Sequence, residues 1–187
     1  MKAIDTDLDC VKNFAPVFKH VIYRTSVDVV GRHISGLLVV KIMPDSSVRF
    51  VFTNEMGFSF FDLGFLQGNQ FKVFSIMPQM NKKSVIKTLR KDFGLILFRN
   101  MDAGKYFSLK DGNEIYHGFT QSKGVNYYVT DTTCHSLIKM QRASNRKAVM
   151  EATMDVHQDR EPDSILIRHL NFNFTISLKK IPQVAAE

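Results

Sequence analysis

Six histidines are the residues of this 187-residue sequence that most directly suggest chemistry, because imidazole nitrogens bind transition metals. Ligands that share one face of a strand or helix lie two or four positions apart. No two of the histidines have that spacing: they are His20, His33, His117, His135, His157 and His169. We interpret them as separate surface and turn residues, and the sequence predicts no metal site.

Nucleophilic catalysis is not indicated either. The G-x-S-x-G turn of many hydrolases is absent. Cys134 and His135 are neighbours, so on a strand their side chains point to opposite faces. Glu55 and Asp62 could pair as carboxylates, but acids beside turns are common. Gly104-Lys105 lacks the spacing and the following Ser or Thr of a phosphate-binding loop. We expect no catalysis and no cofactor.

Cysteine usage and the first residues bear on the cellular compartment. Cys10 and Cys134 lie far apart in sequence, and we interpret them as free thiols, with one disulfide as the alternative. Residues 1–10 contain no apolar stretch of a secretion signal, and Asp9 before Cys10 does not fit a lipoprotein cleavage site. The chain is therefore expected to be either cytoplasmic or a domain whose export signal is missing from this sequence.

The composition favours a strongly apolar interior. The sequence has 16 phenylalanines, nine methionines and no tryptophan. Phe rings need no hydrogen bonds, and flexible Met side chains fit irregular shapes. The net charge of +7 suits an anionic partner. No nucleic-acid motif accompanies the basic clusters, so we expect no nucleic acid among the partners.

Alternating side chains indicate the elements that position these residues. The even positions from 148 to 156 are apolar and most odd ones are polar, and the pattern returns from 171 to 179. Successive strand side chains point to opposite faces, so both segments are predicted as strands of an antiparallel sheet that curls over a core, a helix or a ligand. The other predicted strands are 21–29, 35–43, 48–53, 58–61, 71–77, 95–98, 105–110, 114–116, 127–130, 135–141 and a long last strand between Pro162 and Pro182.

One segment has helical periodicity. Ile86, Leu89 and Phe93 recur at spacings of three and four between Asn81, the predicted N-cap, and Gly94, the predicted stop. Basic residues occupy much of the remaining circumference and predict a positively charged surface: Lys82, Lys83, Lys87, Arg90 and Lys91. An anionic membrane surface or an acidic partner would fit this face.

Together the elements predict a mainly β domain with one or two helices, of the α+β class. Residues 18–187 form a single domain after an N-terminal arm, residues 1–17. The apolar strand face is the candidate ligand-binding surface: Phe50, Phe52, Phe58, Phe60, Met150, Met154, Phe172 and Phe174. Two interpretations stay open. These residues either pack as a core against the helix or line a cavity that admits an acyl chain.

Several segments resemble the superfamily of the periplasmic lipoprotein carrier and the outer-membrane lipoprotein receptor, in its branch of bacterial lipoproteins without an assigned activity. They are residues 35–41, 44–50, 53–55, 61–62, 147–156, 161–162 and 177–179. The resemblance extends over residues 18–181 and implies a curved antiparallel sheet that forms an unclosed half-barrel over a helix. No motif matches the gating residues of the carrier, so none is carried over.

The resemblance also implies a function. The chain would be the soluble part of a bacterial envelope lipoprotein that binds a lipid, an acyl chain or a lipoprotein in an apolar half-barrel. It would lie in the periplasm or on the periplasmic face of the outer membrane, which assumes an export signal missing from this sequence. The alternative is a solid β scaffold for protein–protein interaction in the envelope, without ligand carriage.

Overall fold

The structure, a computed structural model, describes residues 1–156 and 160–182. His157, one of the six histidines, lies outside them, as do the last residues of the predicted domain. The strands are β1 (Lys2–Ile4), β2 (His20–Val29), β3 (Arg32–Ile42), β4 (Val48–Thr53), β5 (Ser59–Phe65), β6 (Phe71–Ile76), β7 (Tyr106–Asp111), β8 (Glu114–Thr120), β9 (Val125–Asp131), β10 (Leu137–Ala143), β11 (Ala148–Val156), β12 (Pro162–His169) and β13 (Phe174–Lys180). The helices are α1 (Leu8–Lys12) and α2 (Lys83–Ile96). Neither of these described helices has the length and apolarity that crossing a bilayer requires.

All the described strands belong to one antiparallel sheet. Their spatial order is β1-β7-β8-β9-β10-β11-β12-β13-β2-β3-β4-β5-β6, so β1 and β6 are its two edges. The twist of neighbouring strands curls the sheet around α2, but the edges are not joined. The predicted fold class, an unclosed half-barrel over a helix, is confirmed.

Strand β4 shows how the sequence builds the concave face. Val48, Phe50 and Phe52 are buried, while the intervening side chains are only partly buried. Neighbouring strands repeat this alternation, for instance Ile165 and Ile167 on β12. Because side chains at every second position share one face, strands β2 to β6 and β10 to β13 each contribute two to four apolar residues to a single core.

The C-terminal end of α2 differs from the prediction. The helix continues through Gly94 to Ile96, so the predicted stop at Gly94 and the predicted strand 95–98 are wrong. Gly94 is buried with its Cα facing the ring of Phe65, where the apolar helix face extends by one more turn. The helix ends where Phe98 adopts a positive φ of 54°, and the Arg99 amide donates to the Gly94 carbonyl at 2.9 Å. This is a Schellman ending with Phe in the position that usually holds Gly.

The predicted long last strand is a hairpin. It divides into β12 and β13, which pair antiparallel with Ile167 opposite Ile176. Residues 170–173 make the turn, and two of them are asparagine, a residue that favours turns. The alternation on both sides is the same, so the sequence pattern alone does not show the break.

The N-terminal segment is attached to the sheet at two places. β1 pairs with β7, and Val11 of α1 is fully buried in the core. Cys10 of α1 and Cys134 of the β9–β10 turn form a disulfide, so the interpretation of both as free thiols is wrong. Their Cα atoms are 5.9 Å apart although 124 positions separate them, and sequence distance carries no information about that approach.

Candidate functional site

The concave face of the half-barrel is the first candidate site. It brings together six of the eight residues predicted to bind a ligand, four of them buried and two packed partly buried against the same core. The buried ones are Phe50, Phe52, Met150 and Phe174, and the partly buried ones are Phe60 and Met154. They come from β4, β5, β11 and β13, which are distant in sequence and meet because the sheet curls.

Aromatic rings and helix α2 fill this concave side. Phe93 of α2 stacks on Phe50 with ring centroids 4.5 Å apart and lies 6.1 Å from Phe61. Phe52 in turn stacks on Phe60 at 4.8 Å. Helix α2 therefore occupies the space in which an acyl chain would lie. The arrangement favours the packed-core interpretation, and the ligand-binding role of these residues stays a prediction.

Two predicted residues lie away from this interior. Phe58 is 68% exposed in the turn between β4 and β5, and Phe172 is 43% exposed in the turn between β12 and β13. Phe172 still stacks on Phe174, with centroids 5.8 Å apart. Both lie in turns, where the backbone is not extended and an alternating sequence no longer fixes which way a side chain faces.

A buried polar cluster, which was not among the predicted site residues, fastens α2 to the sheet. Asp92 of α2 has no exposed surface. Its Oδ1 accepts a hydrogen bond from Arg142 Nη1 of β10 at 2.7 Å, and its Oδ2 accepts one from His169 Nε2 of β12 at 2.7 Å. The His169 ring also packs against Phe172 and Phe174, with centroids 4.6 and 4.9 Å away.

A buried carboxylate is costly unless charged or polar partners satisfy both oxygens. Asp92 meets that condition, so the cluster fixes where α2 lies along the concave face. The signal for it was present in the sequence. Asp92 stands three positions after Leu89 and four before Ile96, on the apolar stripe of the helix, where an acid needs a partner across the interface.

The predicted basic surface is exposed on the other side of α2. All five of its residues are solvent-exposed: Lys82, Lys83, Lys87, Arg90 and Lys91. The Arg90 guanidinium lies 5.7 Å from the ring of Phe71 on the edge strand β6. Partial burial, followed by the positive charges of Arg142, Lys87 and Lys123, lowers the pKa of Lys91. Positive charge therefore extends from α2 to the β8–β9 turn, which carries Lys123.

Two histidines, His117 and His169, are buried, so the interpretation of all six as surface and turn residues is wrong for these two. Within residues 1–156 and 160–182, no group of three or more His, Cys, Asp or Glu side chains is placed to hold a metal ion. His117 is fully buried, and burial lowers the pKa of its imidazole to about 4. Its ring nitrogens contact Tyr106 Oη at 2.9 Å and Thr130 Oγ1 at 3.0 Å, and Cys10 Sγ is 3.7 Å away. This network joins the N-terminal segment to β7, β8 and β9.

A surface groove of about 550 Å³ lies elsewhere, along β2 and β13. Its lining is mixed in polarity and includes His20, Ile22, Glu161, Lys180 and Pro182. Lys180 Nζ bonds Glu161 at 2.7 Å across it. The groove contains none of the residues predicted to bind a ligand.

Comparisons with known proteins bear on the fold. A crystal structure from Vibrio parahaemolyticus, described as an outer membrane lipoprotein-sorting protein domain, matches 96% of this chain and 93% of its own, at 10% identity and a TM-score of 0.53. The chain shares that fold. A protein of the DUF1329 family from Desulfovibrio piger matches 96% of this chain and 92% of its own at 6% identity and a TM-score of 0.46. No protein-family model matches the chain, and no curated protein does.

Proposed function

We propose that this protein is a non-enzymatic domain of the bacterial cell envelope that binds an acyl chain, as part of a lipid or a lipoprotein, on the concave face of its half-barrel. One observation carries the proposal. The open sheet presents a concave face rich in Phe and Met, and a single amphipathic helix, α2, covers it. When α2 moves aside, the ligand enters the half-barrel. Its acyl chain then packs against Phe50 in place of Phe93.

Burial of the chain supplies the affinity. Each CH₂ group removed from water contributes about 0.8 kcal/mol, so ten such groups contribute about 8 kcal/mol. That gain offsets the apolar contacts that α2 loses. Non-directional burial needs no catalytic group and suits a surface of Phe and Met, whose side chains adapt to different ligands.

The Asp92 cluster sets the cost of opening. Moving α2 separates the Asp92 carboxylate from Arg142 and His169, and both carboxylate oxygens then need water. The cluster thereby holds the empty protein closed and keeps its apolar face out of water. Ligand binding competes with this closed state, which is a population shift between two arrangements of one helix.

Two findings support an envelope location. The Cys10–Cys134 disulfide is typical of proteins in oxidising compartments such as the bacterial periplasm. The fold is shared with a domain described as lipoprotein-sorting in the outer membrane. The proposed partners are accordingly a lipid, an acyl chain or a lipoprotein at the periplasm or outer membrane.

Displacement of a fluorescent fatty-acyl probe from the purified chain tests the proposal. We compare the wild type with Met154→Lys, which places a charge beside the core, and with Leu166→Lys, which places the same charge at a 44% exposed position of β12. We expect fatty acids to displace the probe saturably from the wild type and from Leu166→Lys. We expect Met154→Lys to bind at least tenfold more weakly. A folded wild type that binds no probe would refute it.

The alternative is a solid scaffold for protein–protein interaction in the envelope. The close stacking of Phe93 on Phe50 favours it, since a filled interior leaves no space for a ligand without a helix movement. Hydrogen exchange separates the two functions. A scaffold protects the amides of α2 as strongly as those of β2 and β3, whereas a movable helix exchanges faster.

A further inference from the structure

Four neighbouring hairpin turns lie at one end of the half-barrel. Val125 of β9 pairs with Ala143 of β10, Met150 of β11 with His169 of β12, and Phe174 of β13 with Val29 of β2. The four turns next to these residues are therefore at the same end. The Val30 amide donates to the Asn173 carbonyl at 3.0 Å and links two of the turns directly. We name these four turns the hairpin rim: residues 30–32, 121–124, 144–147 and 170–173.

The hairpin rim carries positive charge and no acid. Its charged residues are Arg32, Lys123, Arg146 and Lys147, all exposed. Lys91 of α2 lies close enough to Lys123 and Arg142 for their charges to lower its pKa. The positive charge of the hairpin rim therefore adds to that of Lys91, which lies on the basic face of α2.

The opposite end of the sheet carries charges of both signs. In the described part of the chain its acids include Asp45, Asp111, Glu114, Asp131 and Glu161, and its cations include Lys19, Lys41, Lys110 and Arg160. Hydrogen bonds from Ser47 and from the His135 amide lower the pKa of Asp45 and of Asp131 respectively. The turns of the rim thus carry positive charge alone, whereas the opposite end carries both signs, and a negatively charged surface would orient the protein with the rim toward it.

Apolar side chains project from the same rim. Val30 is 74% exposed, and Leu170 and Phe172 are each 43% exposed. Val30 also has a φ of +46° beside Gly31 at +75°, a turn geometry that favours Asn-Gly. A β-branched residue is unfavourable at a positive φ. Exposure of the Val30 side chain to water does not compensate for that cost. An apolar residue at this position is explained by contact with an apolar partner.

We propose that the hairpin rim docks on the surface of an anionic phospholipid bilayer. Lys and Arg would contact the phosphates, while Val30, Leu170 and Phe172 would enter the boundary between headgroups and acyl chains. A nucleic acid or an acidic protein would use the cations but not these projecting apolar groups. The neighbouring β4–β5 turn is not part of the surface. Strand β4 ends at Thr53, which pairs with Leu37 of β3, so the turn lies five residues short of Arg32 along β3. The turn also carries an acid, Glu55. The docking does not depend on ligand binding in the half-barrel.

Vesicle sedimentation with the full chain tests the charges. The probes are phosphatidylcholine vesicles and vesicles with about one third phosphatidylglycerol. The rim triple variant combines Arg32→Glu, Arg146→Glu and Lys147→Glu. The control triple variant combines Lys19→Glu, Lys41→Glu and Lys110→Glu, which lie toward the other end of the sheet. Both variants change the net charge by the same amount. Salt-sensitive binding to anionic vesicles is expected for the wild type and the control triple, and at least tenfold weaker binding for the rim triple. Equal losses in both triples, or wild-type binding to heparin but not to vesicles, would overturn the proposal.

Two further variants test the apolar contact. Val30→Asn fits the turn better, so it should raise the melting temperature and yet weaken vesicle binding several-fold. The chain has no tryptophan, which makes Leu170→Trp a unique reporter and Leu166→Trp, on the same hairpin at 44% exposure, its control. Emission of Leu170→Trp alone should shift to the blue with anionic vesicles. An emission shift in both tryptophan variants or in neither, or unchanged vesicle binding of Val30→Asn, contradicts insertion. The acyl-probe assay reports on the half-barrel independently of these results.

Discussion

His169 Nε2, at the end of β12, donates a hydrogen bond of 2.7 Å to Asp92 Oδ2 of helix α2, across 77 positions of sequence. Asp92 has no exposed surface, and Arg142 donates to its other oxygen. The pair joins the helix to the strand that ends at the hairpin rim. The same contact therefore connects the concave interior with the end of the sheet that is proposed to dock on a membrane.

Replacing Asp92 with Asn should lower the free energy of unfolding by about 2 kcal/mol, because hydrogen bonds to a charged group are lost inside the protein. Urea unfolding measures the change, and Asp155→Asn at an exposed position of β11 is the matched control, expected to change it by less than about 0.5 kcal/mol. An unaltered stability of the Asp92 variant would mean that the cluster does not hold α2.

The same substitution has an opposite effect on ligand binding. With α2 held less tightly, Asp92→Asn should bind a fluorescent acyl probe more tightly than the wild type does, by about threefold to tenfold, because less free energy is needed to open the half-barrel. Probe titration below the unfolding transition gives the affinity. Weaker binding in a folded variant would contradict the role of α2 as a movable cover.

Stability should fall as the pH drops below the ordinary pKa of histidine. Burial lowers the pKa of His117 from 6.5 to about 4, so the unfolded chain binds a proton between these values that the folded protein does not. The free energy of unfolding should decrease by about 2 kcal/mol from pH 7 to pH 5 through this group. Chemical unfolding at several pH values gives the slope. His117→Gln should have a shallower slope than the wild type.

Loss of the disulfide should destabilise the protein by about 2–5 kcal/mol, since Cys10 and Cys134 close a long loop and hold α1 against the core. The Cys10→Ser, Cys134→Ser double variant should melt at the temperature of the reduced wild type. Dithiothreitol should not affect the double variant. If reduction leaves the wild-type melting temperature unchanged, the bond contributes nothing to stability.

Two glycines should respond oppositely to alanine. Gly94 is helical and a Cβ there would be 3.7 Å from Phe65, so Gly94→Ala should stabilise by about 0.5–1 kcal/mol. At Gly36 a Cβ would meet the Thr53 carbonyl oxygen at 2.0 Å, so Gly36→Ala should disrupt the pairing of β3 with β4 and destabilise strongly. Thermal melts compare them, and a destabilised Gly94→Ala would indicate that the helix needs flexibility there.

The hairpin of β7 and β8 and the strands β2 to β6 were predicted because their signals are local. Alternating side chains mark each strand, and Asp111-Gly112 marks a turn in which Gly112 indeed has a positive φ of 57°. The hairpin of β12 and β13 was missed, since the alternation reads alike on both sides of residues 170–173. Gly94 was read as a helix stop because the sequence does not show that Phe65 packs over it.

The sequence by itself determined most of the strands, the amphipathic helix α2, its exposed basic face and the Phe-rich interior, because side-chain periodicity and residue type act over a few neighbouring positions. The tertiary structure alone decided which residues meet: Asp92 with Arg142 and His169, and Cys10 with Cys134. It also decided that the basic turns share one end of the half-barrel. These relationships depend on how thirteen strands are ordered in one curved sheet among the described residues, and pairing between distant segments leaves no local pattern in the chain.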